Sequence, residues 1–191
     1  MELHKTLQTM SVVIPFYFVL CIMGAGILPY AIYKNQIFFL ISRESEDIVW
    51  KESGLWSEFG GAAENNETLK DAAIREAYEE SNTLLGTTEQ ITQLINQPTT
   101  KYITLNKHRV YLVKMKYDEK LPTKFRNKYL YMKNNNPEYL KDTKLKYFYE
   151  KDKIKWITMD EMKKNLKIFR PWFVKYLPLI KYRLKGTLET N

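Results

Sequence analysis

The sequence predicts an α/β fold, and two observations carry that reading. Short apolar runs with strand-like composition recur along the chain, and helical segments fall between and after them. Residues 26–33 and 37–42 are apolar runs joined at Lys34-Asn35-Gln36, which predicts a hairpin. A glycine pair, Gly60-Gly61, then precedes a helix over residues 69 to about 81, a stretch of mostly good helix formers without Gly or Pro. Thr68 is placed to cap that helix, with Asp71 three residues on to complete the cap. Residues 91–94, 102–105 and 109–115 read as strands, the last most clearly through Val110-Tyr111-Leu112-Val113. Residues 155–158 read as a short late strand. Residues 159–166 and 172–184 read as helices, with Pro171 at a helix start and Pro178 as a kink.

Composition agrees with one ordinary domain. The chain has 191 residues, 45% of them hydrophobic and 27% charged, enough to bury a core. The single cysteine, Cys21, excludes an intramolecular disulfide and has no partner for a thiolate metal site. His4 and His108 are the only histidines, which argues against histidine-based zinc. A net charge of +8 favours anionic partners: nucleotides, phosphorylated metabolites or RNA.

One short segment breaks the local rules. At 100° per residue, Glu76, Glu79 and Glu80 share one face of the helix, within about 100° of one another. They occupy its last turn, where the macrodipole prefers cations. Like charges at i,i+3 and i,i+4 each cost a few tenths of a kcal/mol. Such a conflict marks a functional site, and clustered carboxylates suit a hard cation such as Mg²⁺. A solvated acidic helix end is the competing reading for these acids taken alone.

The spacing around them resembles the Nudix box, G-x(5)-E-x(7)-R-E-U-x-E-E-x-G-U, where U is aliphatic. Gly61 opens it, Glu67 follows, then Arg75-Glu76, Ala77 at the first U position, and Glu79-Glu80. Two positions depart: Asn82 stands where the family has glycine and Thr83 where it has an aliphatic residue. Asn is the next-best residue for a left-handed helix stop. Upstream, residues 55–64 resemble the family's W-x-x-P-G-G-x-x-E approach through Trp56, Gly60, Gly61 and Glu64, with Phe59 replacing proline. The resemblance spans residues 24–182 and implies an α/β/α sandwich with a mixed sheet and the box helix on one face.

It also implies a divalent-metal-dependent hydrolase. Mg²⁺ or Mn²⁺ would be held by Glu76, Glu79 and Glu80 with the Gly60 carbonyl. Arg75 would orient the cluster by pairing with a box glutamate, while Gly61, Glu67 and Asn82 would be architectural. For Glu67 and Arg75 a helix-surface ion pair is the competing reading. Many members add a carboxylate ahead of the late strand. Glu150, six residues before Trp156, is the candidate, with Asp118, Glu119 and Asp152 as rivals. The expected reaction is cleavage of a phosphoanhydride in a nucleoside diphosphate linked to another moiety. Removal of an mRNA cap, diphosphoinositol-polyphosphate hydrolysis, and a non-catalytic nucleotide-binding module are the alternatives.

Substrate signals are thin. Pro98 lies 15 residues beyond Thr83, a position associated with ADP-ribose-type members. Lys107 and Arg109, flanking His108 before a strand, are similar to diphosphoinositol and cap-cleaving members and stand as substrate-binding candidates. The FGG variant with a lysine-rich insert resembles Nudix proteins of large DNA viruses. That insert, about residues 116–150, interleaves basic and aromatic side chains and could track RNA. The competing reading is an amphipathic helix packing Phe125, Tyr129 and Met132 on the core.

The ends complete the expected organisation: an apolar leader over residues 1–23, the domain over 24–185, and a tail over 186–191. Residues 11–33 carry no charge, yet the first strand claims 24–33. What remains, residues 12–23, is too short to span a bilayer. It reads either as an added strand or dispensable extension, or as a membrane-directing segment. A cytoplasmic location is expected, with membrane contact through 12–23 as the alternative.

Overall fold

The computed structural model describes residues 23–48, 50–138 and 146–188. The leader reading falls on residues outside these, apart from Met23. Among the described residues no helix is long and apolar enough to cross a membrane.

The hairpin forms as expected. Strands β1 (Gly24–Tyr33) and β2 (Gln36–Glu44) pair antiparallel with Tyr33 opposite Gln36. Lys34 and Asn35 both adopt positive φ, 49° and 59°, the two-residue turn whose twist matches that of the strands. Strands β3 (Trp56–Ser57), β4 (Phe59–Ala62), β5 (Lys101–Leu105), β6 (His108–Lys114) and β7 (Lys151–Thr158) complete a seven-stranded sheet. Its order is β3-β2-β1-β6-β5, with β4 added on β1 and β7 on β2. The sheet is mixed because β1 runs parallel to β6 and antiparallel to β2 and β4.

Helices cover both faces. Alternation along β1 sends Ala25 and Ile27 to one core and Leu28 and Tyr30 to a second core on the opposite face. The first core receives helices α1 (Leu69–Glu80), α2 (Thr88–Ile95) and α3 (Leu121–Asn135). The second receives α4 (Met159–Lys164), α5 (Pro171–Val174) and α6 (Leu177–Arg183). This is an α/β/α sandwich.

Two elements differ from the sequence reading. Residues 91–94 are helix, within α2, not strand. Thr87 and Gln90 make a reciprocal capping box, and Ile91 and Ile95 then share one buried helical face. Residues 172–184 form two short helices. Pro178 sits in the first turn of α6, so it starts a new helix where a kink was expected. The Lys/Tyr-rich insert, by contrast, takes its helical reading: α3 buries Phe125 and Tyr129, and Met132 packs partly buried beside them.

The end of α1 explains the box's departures. Asn82 N–H bonds Glu79 O at 2.9 Å and Thr83 N–H bonds Tyr78 O at 2.9 Å, a Schellman stop with Asn82 in the glycine position. Asn82 and Thr83 both carry positive φ, 51° and 64°. Lys128 of α3 secures the turn by donating to Asn82 O at 2.6 Å and Thr83 Oγ1 at 2.8 Å. The Asn82 side-chain amide is buried, with no partner among the described residues. Asn82→Gly therefore relieves a left-handed residue and two unsatisfied polar atoms. It should stabilise the protein by about 1 kcal/mol, raising the melting temperature by about 2–4 °C. A lower melting temperature would contradict this account of the turn.

Candidate active site

The glycine loop lets two elements approach more closely than side chains allow. Gly26 of β1 faces Gly60 of β4, and a Cβ built on Gly60 would lie 2.5 Å from Gly26 Cα. One residue on, Gly61 meets the box helix. A Cβ there would stand 2.4 Å from Glu76 Oε1, so glycine is what admits the Glu76 carboxylate against the loop. The cap predicted for α1 is present: Asp71 N–H donates to Thr68 Oγ1 and Thr68 N–H to the Asp71 carboxylate. It fixes where α1 starts, and so where Glu76 and Glu80 point.

Both of those acids are buried. Glu80 accepts the Gly60 N–H at 2.7 Å on Oε2 and the Lys151 ammonium at 3.0 Å on Oε1. Glu150, between a 3₁₀ turn at Lys146–Tyr149 and β7, joins them; its backbone carbonyl is anchored by Ser45 N–H at 2.7 Å. Glu76, Glu80 and Glu150 each offer a carboxylate oxygen, all within 4.8 Å of one another. Burial pushes all three carboxyls up, well above the usual range for Glu80 and to about 7 for Glu150, where the Glu76 charge adds to the effect. Three crowded, partly desolvated carboxylates with only oxygen donors fit a hard divalent cation, whose charge would relieve the crowding.

Arg75 holds the outer side of the cluster. Its guanidinium grips Glu67 with two nitrogens, at 2.8 and 3.1 Å, and donates to Glu76 at 2.9 Å, Glu79 at 3.2 Å and Ala62 O at 2.9 Å. Burial alone would lower its pKa, but the glutamates outweigh that and drive it upward. Glu67, held below the usual carboxylate range by Arg75, also accepts the Glu64 N–H at 2.9 Å. These contacts tie the glycine loop to α1.

Other expected residues fall elsewhere. Glu79 lies on the same helix face but turns to Arg75 and stays outside the Glu76–Glu80–Glu150 group. Of Glu150's rivals, Asp152 is locked to Arg43 at 2.6 and 2.8 Å, Asp118 pairs with Lys124 at 2.9 Å, and Glu119 is exposed. Gly60 lines the site, where its N–H serves Glu80. Lys107 is a turn residue with φ 65°, and Arg109 stacks over Tyr102 at 4.5 Å beside Tyr111. Strand alternation gives the inward position to His108, between them.

Two cavities meet at this point. One, of about 490 Å³, holds the three acids with Ile48, Trp50 and Tyr147. The other, of about 330 Å³, is bounded by Asn106, His108, Trp172, Lys175 and Tyr176. Gly60, Gly61, Ala62 and Arg170 line both. His108 is fixed by the fully buried Glu58, at 2.9 Å, and lies edge-on to Trp172 with ring centroids 4.8 Å apart. Arg170 bonds Glu44 at 3.0 Å and Glu52 at 2.6 Å, and its guanidinium lies 5.2 Å from the rings of both Trp50 and Trp172.

Glu44, Lys151 and Arg170 were not singled out from sequence. Each reads locally as an ordinary surface charge. The pairing of β2 with β7 sets Glu44 opposite Lys151, and the bridge of Phe169 to Trp56, with Arg170 N–H on Trp56 O at 3.0 Å, brings Arg170 to Glu44.

Known proteins bear on this arrangement. Over 69 residues the chain is 38% identical to an uncharacterized protein of Acanthamoeba polyphaga mimivirus; the match takes in 36% of this chain and 22% of that protein's length. Among solved structures, the C. elegans Ap4A hydrolase binary complex aligns with a TM-score of 0.51 at 19% identity, covering 85% of this chain and 98% of that one. The NUDIX domain of Shewanella oneidensis NrtR, complexed with ADP ribose, aligns at 0.52 and 12% identity, covering 90% and 94%. At such identities the likeness is one of fold. The NUDIX domain family model matches residues 25–179. The match runs through the glycine loop, the box helix and the carboxylate ahead of the late strand, and the chain belongs to the Nudix family.

Proposed function

We propose that the protein is a divalent-metal-dependent pyrophosphohydrolase that cleaves a phosphoanhydride in a nucleoside diphosphate linked to another moiety. The observation that carries this reading is the grouping of Glu76, Glu80 and Glu150 in one of two cavities that adjoin across the glycine loop. Glu76, Glu80 and Glu150 would hold Mg²⁺ or Mn²⁺, with Glu79 adding charge from the Arg75 side. A bound divalent ion supplies a Lewis acid for the phosphate oxygens and lowers the pKa of bound water.

The chain's own groups account for the rest. Arg75 positions Glu76 and, through Ala62 O, the loop that separates the cavities. The second cavity gives the far end of a two-part substrate an indole and a phenol for stacking, with Lys175 beside them for an anionic group. That arrangement supports a nucleotide joined to a second group through a chain of two or more phosphates. The Ap4A and ADP ribose named for the two compared structures are compounds of that general type. RNA-cap removal has less support here, because Lys128 and Arg126 of α3 are spent on Asn82, Thr83 and Asp152 within the fold.

A panel of nucleoside triphosphates, ADP-ribose, dinucleoside polyphosphates, diphosphoinositol polyphosphates and capped RNA, assayed with Mg²⁺ and with Mn²⁺, tests the reading. Turnover of ADP-ribose or a dinucleoside polyphosphate, abolished by chelator, is expected. Turnover of capped RNA alone would favour the cap reading. Nucleotide binding without turnover of any compound would mark a binding module.

A further inference from the structure

Lys151 opens β7 opposite Glu44 of β2, and its side chain is only 1% exposed. Its ammonium contacts two carboxylates, Glu44 directly and Glu80 at 3.0 Å. Glu80 is also one of the three acids grouped for a cation. Lys151 is therefore part of the acid cluster, on the side away from Arg75. The cations divide the cluster between them: Arg75 faces Glu76 and Glu79, while Lys151 and Arg170 face Glu44. A buried ammonium between two carboxylates is held by the same attraction that would draw a metal ion, and two cations do not share one gap.

We propose that Lys151 is a built-in cation that fills the Glu44–Glu80 side of the acid cluster and confines divalent metal to the side of Glu76 and Glu150. The chain then binds one metal ion fewer than its carboxylates would otherwise hold. Lys151 is a positioning residue: it holds Glu80, which also accepts the Gly60 N–H, without spending a metal ion there. The inference rests on the metal-dependent reading above, but its test reads metal binding and stability, so the two can fail separately.

The experiment counts Mn²⁺ by electron paramagnetic resonance titration of the full chain and of Lys151→Met, alongside thermal melts with and without Mn²⁺. Lys151→Met should bind one Mn²⁺ more than the parent. Because each added site contributes its own binding free energy to the folded state, its Mn²⁺-induced rise in melting temperature should exceed the parent's. Should Lys151→Met be unfolded without metal, Mn²⁺ should restore the fold, since the ion takes the ammonium's place. The double variant Glu44→Gln/Lys151→Met lacks a carboxylate for the extra ion and should return to the parent's count. Equal counts for the parent and Lys151→Met overturn the inference, as does failure of Lys151→Met to fold in saturating Mn²⁺. So does an extra ion retained by the double variant. A parent chain that binds no Mn²⁺ overturns the metal-dependent reading, and the inference with it.

Discussion

Glu76→Gln should lower kcat in saturating Mn²⁺ by at least about 100-fold. Losing a hydrogen-bond partner behind a metal ligand typically costs about 10–100-fold, so losing a ligand oxygen should cost no less. The Glu76 carboxylate lies against Gly61 in space that only glycine provides, so glutamine of the same shape still fits. Arg75 loses one carboxylate and keeps Glu67 and Glu79. Burial already disfavours the Glu76 charge, and a neutral amide removes that cost. The melting temperature of the metal-free protein should accordingly stay within about 2–4 °C of the parent, the change expected from about 1 kcal/mol. Steady-state kinetics and a thermal melt check both halves. Retention of more than about a tenth of the parent's kcat, against the losses typical of a ligand, would remove Glu76 from the catalytic set.

Arg75→Ala should strongly destabilise the fold. The guanidinium serves three carboxylates and one backbone carbonyl, and its side chain is 21% exposed. Removing it leaves Glu67, Glu76 and Glu79 facing one another without compensation. Truncating one partner of a buried pair costs about 3–5 kcal/mol, and the partial exposure here reduces that to about 2–4 kcal/mol. The melting temperature of the metal-free protein should fall by about 5–15 °C. Mn²⁺ should recover part of the loss, because the ion neutralises the same carboxylates. Arg75→Lys should fall between, keeping the charge without the fork that spans Glu67 and Glu76. Calorimetry with and without Mn²⁺ checks this, and a melting temperature equal to the parent's would reduce the Arg75 contacts to surface ion pairs.

Much of the site was legible because its signals are local. Thr68 and Asp71 declare the helix start, and the i, i+3, i+4 spacing of Glu76, Glu79 and Glu80 puts them on one face whatever surrounds them. Glu150 could be read from its distance to Trp156, since a strand carries a fixed offset forward. The misread at 91–94 was also local: Thr87-x-x-Gln90 is a capping-box spacing, and it outweighed the short apolar run.

The sequence by itself determined the box helix, its cap, the hairpin turn and the pool of acids from which a cation site can be made. Tertiary structure decided which acids meet and what neutralises them. Glu79 was drawn to Arg75 and away from Glu80, a choice of rotamer that helical spacing does not specify. Lys151 reached Glu44 and Glu80 because β2 and β7 pair across more than a hundred residues of chain, with a register shift between Arg43 and Glu44. A one-residue slip in that register would send every following side chain to the opposite face. No local property of Lys151-Asp152 reveals which of the two meets the acids and which meets Arg43; the pairing of distant strands and the bulge fix it together.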